Sequence, residues 1–218
     1  MCYNELVLEL SSNALQPLAA IVQSVFQGAT LSRYRDEGGE LYQVLNASDL
    51  GAIVLNQPRE AMTSEALKPG PYKDYALQAD DILIATRGND LKASVVPEAF
   101  EGALAGANLT VVRPAKNARG DFMSLHPVYL AGLFRTDWLK HRLASFYLQS
   151  SQVQILTVKQ LRELELPLPP LGTQAILADL FLAFESYAEL TAELVEGKRQ
   201  LLEAALQKTL GESHADTN

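Results

Sequence analysis

Three prolines within four residues, Pro167, Pro169 and Pro170, divide this 218-residue chain into two parts of different character. Proline fixes its own φ and pushes the preceding residue toward extended backbone. The stretch Leu166-Pro167-Leu168-Pro169-Pro170-Leu171 therefore forms a stiff elbow. Before it lie short apolar runs broken by Gly, Asn and Asp. After it, from Gln174 to Leu210, there is no proline and a single glycine, Gly197. The pattern predicts a helix, with Thr173 as its N-cap and Gly211 closing its C-terminal side. At ~1.5 Å per residue it would be roughly 55 Å long.

That helix carries an apolar seam. Leu177, Leu180, Phe184, Tyr187, Thr191, Leu194, Lys198, Leu201, Ala205 and Lys208 follow alternating spacings of three and four, a seven-residue repeat. Ile176, Ala183, Leu190 and Ala204 widen the stripe. A terminal helix folded back on its own domain is one reading. The other is a helix meeting a second, similar helix, with Leu177, Leu180, Phe184, Tyr187, Leu194 and Leu201 as the interface. Gly197 costs on the order of 1 kcal/mol against alanine and marks a bend or close crossing.

The expected architecture is α+β: a mixed α/β domain over 1–170, a long coiled-coil-type helix over 171–211 and a frayed tail over 212–218. Expected strands are Leu6–Leu10, Leu41–Leu45, Ile53–Leu55, Ile82–Ala85, Ala93–Val96 and Leu109–Val112, rich in Val, Ile and Leu. Gly38-Gly39 and Gly88-Asn89 are expected turns. Helices are expected at Pro127–Phe134, Thr136–Leu148 and Val158–Leu164, the last with Thr157 and Gln160 as a capping box.

Catalytic and metal-binding chemistry finds little support. Cys2 is the sole cysteine, and His126, His141 and His214 lack metal-ligand spacing. No phosphate-cradling Gly-x-x-x-x-Gly-Lys or nucleophile-elbow Gly-x-Ser-x-Gly occurs. Asp80-Asp81 reads as a solvated turn before a buried strand, since no Glu-x-Lys follows to complete a nuclease site. No run is long enough to span a bilayer, and no Lys or Arg precedes Arg33, as a secretory signal would require. The expected compartment is the cytoplasm, without metal or cofactor on this chain.

Three segments instead have the make-up of a polar recognition surface. One runs from Gln27 to Arg35 and contains Ser32, Arg33, Tyr34 and Arg35. A second, from Thr86 to Lys92, contains Arg87, Asn89 and Lys92. The third holds Gln149, Ser150, Gln152 and Gln154. Arginine and lysine can address guanine edges or phosphates, and amides can read adenine. Net charge opposes this reading: the chain carries −8, with eighteen acids and fifteen bases before Gly172, and eight acids and three bases from there on. Nucleic-acid binders usually leave a basic footprint, so any DNA affinity would be local or shared with basic partners.

Taken in order, the pieces resemble one half of a specificity subunit of type I restriction-modification systems. The matching segments are Phe26-Gln27-Gly28-Ala29-Thr30, Asp81-Ile82-Leu83-Ile84-Ala85-Thr86-Arg87-Gly88, Asn108 to Pro114, Tyr129-Leu130, and the proline elbow with Gln174 and Ile176. Ala79-Asp80 departs from the family, which often has glycine before the position of Asp81. The resemblance implies a target-recognition domain followed by a spacer helix, reading half of a bipartite double-stranded DNA site. Whole subunits carry two such domains and two helices, so two copies packed through antiparallel helices would restore the twofold arrangement. It further implies partner methyltransferase subunits, which would use S-adenosylmethionine for adenine N6 methylation, and a restriction subunit that translocates DNA with ATP. An alternative class is an adaptor that docks on methyltransferase or full-length specificity subunits without reading DNA.

Overall fold

In the computed structural model, residues 15–87, 92–143 and 155–215 are described, side chains through Leu210. The chain forms two compact units, one ending at Phe181 and one starting at Leu182.

The first unit is built around a four-stranded antiparallel sheet in the order β2-β8-β5-β6, comprising β2 (Val22–Gln27), β5 (Ile82–Ala85), β6 (Ala93–Val95) and β8 (Leu109–Pro114). Strand β5 is buried at every residue, Ile82 to Ala85, as expected for an uninterrupted apolar run in a sheet interior. A three-stranded sheet has β3 (Arg35–Leu45) between β4 (Thr63–Leu67) and β7 (Leu104–Ala105), and β3 pairs parallel with β7. Leu45, Leu50, Met62, Leu83, Phe100 and Val111 belong to the main core, and Leu31, Val44, Leu67, Tyr72 and Leu104 form a second cluster. A two-stranded ribbon, β1 (Leu15–Pro17) with β9 (Glu165–Pro167), brings the elbow back to the domain start, where α1 (Leu18–Ile21) leads into β2.

Several expectations change. Ile53–Leu55 is no strand: only Val54 bridges to Val95, with Val95 N–H donating to the Ile53 carbonyl. Strand β4 carries Thr, Ser and Glu, a composition that hid it; its place comes from pairing with β3. Gly38-Gly39 lies inside β3, where the pairing slips between Arg35 and Glu40, so the glycines mark a bulge. A Cβ on Gly39 would sit 2.7 Å from the Leu67 backbone nitrogen. The expected strand Leu6–Leu10 and the turn Gly88-Asn89 lie outside the described residues.

Asp81 is fully buried rather than solvated. Arg113 on β8 donates to both its carboxylate oxygens, at 2.8 and 2.7 Å, and to the Ala76 carbonyl. Its neighbour Asp80 has φ of 70°, the left-handed region that Asp tolerates better than most residues. Glycine before this position, the family habit that Asp80 breaks, has a conformational reason.

The helical part begins with α2 (Pro127–Leu133), α3 (Asp137–Leu143) and α4 (Val158–Glu163). The Thr157–Gln160 capping box of α4 is formed in full. The long helix α5 (Leu171–Ala215) starts two residues before the expected cap, so Thr173 is a buried first-turn residue, and it continues through Gly211. Gln174 does the anchoring. Its side chain is wholly buried; Oε1 accepts from the His126 N–H at 2.8 Å, while Nε2 donates to the Ser124 and Pro169 carbonyls at 2.9 and 2.8 Å. Gly132 on α2 faces Phe181, whose Cβ would lie 2.9 Å from an added methyl. Tyr129 donates its hydroxyl to the Pro167 carbonyl at 2.9 Å, and burial pushes its pKa up to about 12. Together these contacts fasten the elbow and the start of α5 to α2.

Candidate nucleic-acid interface

The topology of the main sheet gathers the candidate recognition segments at one end. Both β2 and β5 run antiparallel to β8, so their C-termini lie together: Gln27 and Ile84 both pair with Thr110, and Ala85 pairs with Leu109. Ile84 also pairs with Ala93, which puts Lys92 at that end. The segments starting at Gln27 and at Thr86 thus leave the sheet side by side. Arg87 forms an isolated antiparallel bridge with Ile155, and the Leu156 N–H donates to the Thr86 carbonyl at 2.9 Å. That bridge brings α4 to the same place. Asn89, Gln149, Ser150, Gln152 and Gln154 lie outside the described residues.

The first segment is held rigidly. Gln27 Nε2 donates to the carbonyls of Ala107 and Leu109, at 2.6 and 2.8 Å. Gly28 then passes so close to the strand β7 end that a Cβ would lie 2.7 Å from the Ala105 carbonyl oxygen; only glycine fits without displacement. The following turn, Leu31–Arg33, buries Leu31 and leaves Ser32 and Arg33 exposed. Tyr34 packs edge-on against the buried Tyr72, with ring centroids 5.3 Å apart. Arg35 makes a bidentate pair with Glu65, at 2.9 and 2.7 Å, tying β3 to β4. Its hydrogen bonds hold the Glu65 carboxyl below the usual carboxylate range.

Cations are sorted between the two ends of the sheet. At the far end three of them have a carboxylate: Arg113 with Asp81, Lys116 with Asp80, and nearby Lys73 with Glu40. The hydrogen bond from Lys73 lowers the Glu40 pKa and raises its own. At the recognition end, Arg33, Arg87, Lys92 and Arg162 make no ion pair with a described carboxylate. Within an acidic chain, four cations with no ion pair to a described carboxylate are thus gathered at that end.

Between the Gln27–Tyr34 segment and α4 lies an open cleft of about 620 Å³, lined by Phe26, Arg33, Tyr34, Tyr75, Val158 and Arg162 among others. Arg162 and Tyr75 were not singled out from the sequence. Nothing in local spacing distinguishes Arg162 from any solvated helical arginine; packing of α4 on β2 brings it here. Among the described residues, no group of three or more His, Cys, Asp or Glu side chains could hold a metal ion, and no helix is long and apolar enough to cross a membrane.

On the second unit, Phe184, Tyr187, Leu194 and Leu201 are all exposed, as is Leu190 beside them. Leu177 and Leu180 belong to the first unit, the former partly buried and the latter exposed.

The domain's antiparallel main sheet with its smaller mixed sheet, its proline elbow and its long terminal helix define a class, and the comparisons agree. Residues 22–203 match the model of the type I restriction modification DNA specificity domain, and the chain belongs to that family. Among solved structures, one titled for complex assembly and conformational transition of the type I R-M system is 17% identical, with a TM-score of 0.68 over 92% of this chain and 49% of that one. The HsdS subunit from Thermoanaerobacter tengcongensis is also 17% identical, at 0.60 over 89% and 48%. The type I S subunit from M. genitalium is 15% identical, at 0.50 over 86% and 43%. The chain thus spans about half the length of these structures. No curated protein matches the sequence.

Proposed function

We propose that this chain is a DNA-reading module without chemistry of its own, which recognises one half of a bipartite site and holds methyltransferase subunits there. The observation that carries the reading is the gathering of Arg33, Arg87, Lys92 and Arg162, none of them ion-paired to a described carboxylate, at one sheet end of a chain belonging to a DNA-specificity family. Adenine methylation with S-adenosylmethionine belongs to the partner subunits, with an ATP-driven restriction subunit as a further partner and the cytoplasm as the compartment. The other half-site is read by a second copy, joined through Phe184, Tyr187, Leu194 and Leu201. The exposed apolar face of α5, which its own unit leaves uncovered, supports that pairing.

Twofold symmetry makes the two half-sites inverted copies of one another. Methylome sequencing of cells carrying this chain and its methyltransferase as the sole specificity source should therefore give a palindrome split by a non-specific spacer. Light scattering should give a dimer that Tyr187→Glu with Leu201→Glu converts to a monomer. The net charge of −8 favours a second reading, an adaptor that docks on methyltransferase or full-length specificity subunits without touching DNA. An asymmetric methylated site, or none, would replace the homodimeric reader with that adaptor.

A further inference from the structure

We infer that the cleft between the Gln27–Tyr34 segment and α4 is a clamp for a DNA backbone phosphate, with Arg162 and Arg33 as its two walls. The inference rests on the DNA-reading function proposed above and assigns that function a particular anchoring point. Five observations converge on it. Among the described residues, the cleft's lining contains two arginines and no carboxylate, in a chain with 26 acids and 18 bases. The comparable cleft of about 460 Å³ toward the other end of the sheet mixes Lys73, Arg113 and Lys116 with Asp74 and Glu101, and those three cations are neutralised by Glu40, Asp81 and Asp80.

Arg162 is also pre-aimed. Its Nη2 donates to the Val25 carbonyl at 2.5 Å, which holds the guanidinium plane while leaving further N–H groups for a ligand. A planar, permanently charged fork suits a phosphate, and fixing it beforehand reduces the entropy lost on binding. On the opposite wall, Arg33 is exposed on a turn anchored by the buried Leu31. The half-exposed Tyr75, tilted against Phe26 at 5.6 Å between ring centroids, offers a flat face for the adjoining deoxyribose. Phosphate contacts set register without reading sequence, so this clamp would orient the neighbouring segments at Ser32 and at Arg87 toward base edges.

Salt dependence provides the test. The full chain is titrated into two unrelated duplexes of about 30 base pairs across KCl concentrations. Each phosphate contact contributes about 0.9 to the slope of log K against log salt. Arg33→Gln and Arg162→Gln should each lower the slope by about that amount and weaken binding to both duplexes roughly tenfold at low salt. Val158→Glu places a carboxylate in the cleft without touching the Arg162–Val25 bond, and an acid is favourable in the first turn of a helix. It should weaken binding at least as much, with thermal unfolding unchanged. Lys116→Gln, at the other end of the sheet, should leave the slope as it was. Unchanged slopes for Arg162→Gln and Val158→Glu overturn the clamp, as does a loss confined to one duplex or an equal loss in Lys116→Gln. Should palindromic methylation persist with those slopes unchanged, only the clamp falls. Failure of the unsubstituted chain to bind DNA, alone and with its methyltransferase, removes both the clamp and the DNA-reading function.

Discussion

Replacing Gln174 should loosen the junction between elbow and helix more than its single-residue size suggests. Its amide satisfies three backbone groups from two separate segments: the His126 N–H and the carbonyls of Ser124 and Pro169. The side chain is fully buried, so truncation leaves one donor and two acceptors without water to replace it. Each buried unsatisfied group costs about 1–3 kcal/mol. Partial relaxation and an entering water reduce the sum, and Gln174→Met, which keeps the volume, should cost about 3–5 kcal/mol. For a domain of this size that is roughly 6–20 °C in Tm, at about 2–4 °C per kcal/mol. Gln174→Glu sharpens the test. Its carboxylate retains the acceptor for His126 but faces two carbonyls with nothing to donate, so burial and repulsion raise the carboxyl pKa above its unfolded value. The penalty is therefore absent below the unfolded pKa and grows as pH rises through the folded one. Urea denaturation followed by circular dichroism should show Gln174→Glu recovering toward pH 4.5 relative to Gln174→Met. A Gln174→Met variant within 1 kcal/mol of the parent, or a Gln174→Glu variant without pH dependence of its own, would falsify the assignment of Gln174 as the anchor.

Arg113→Leu strands the fully buried Asp81 and should cost about 3–5 kcal/mol, whereas Arg113→Met combined with Asp81→Leu should recover part of it; equal losses in the single and double variants would contradict this. Asp80→Gly relieves a left-handed backbone worth about 1–2 kcal/mol and loses a half-exposed pair with Lys116 worth at most about 1 kcal/mol, so stability in urea should not fall and should rise by at most about 2 kcal/mol, while Asp80→Val should be clearly less stable. Desolvation lowers the pKa of His126, whose buried Nδ1 has no hydrogen-bond partner among the described residues. The unfolded chain then binds the proton more readily, so this contribution is full above the ordinary histidine value and is lost as pH falls through the folded one. His126→Phe should make the urea midpoint less sensitive between pH 7.5 and 5.5 than the parent's.

Local chemistry was legible without any structure. The runs Ile82–Ala85 and Leu109–Val112 are strands because an unbroken apolar segment of that length has few alternatives to a sheet interior. The Thr157–Gln160 box starts a helix because both hydrogen bonds close within four residues. The proline elbow and the proline-free repeat after it determined a stiff exit and a long helix before any packing was considered. The resemblance also pointed to Gln174, although its role became visible only with its three distant partners in place. What the tertiary structure decided are contacts between residues far apart in the chain. Polar β4 is a strand because β3 offers it an edge, and Val54 contributes only a bridge. Asp81 is buried because Arg113, 32 residues on, lies on the strand beside it. Arg33 and Arg35 are two residues apart, yet the pairing of β3 with β4 gives Arg35 a carboxylate, while Arg33, on the Leu31 turn, has none among the described residues. Arg162 joins Arg33 only because α4 packs on β2. Composition records how much charge a chain has; the order of strands in the sheet determines which charges neutralise one another and which remain for a ligand.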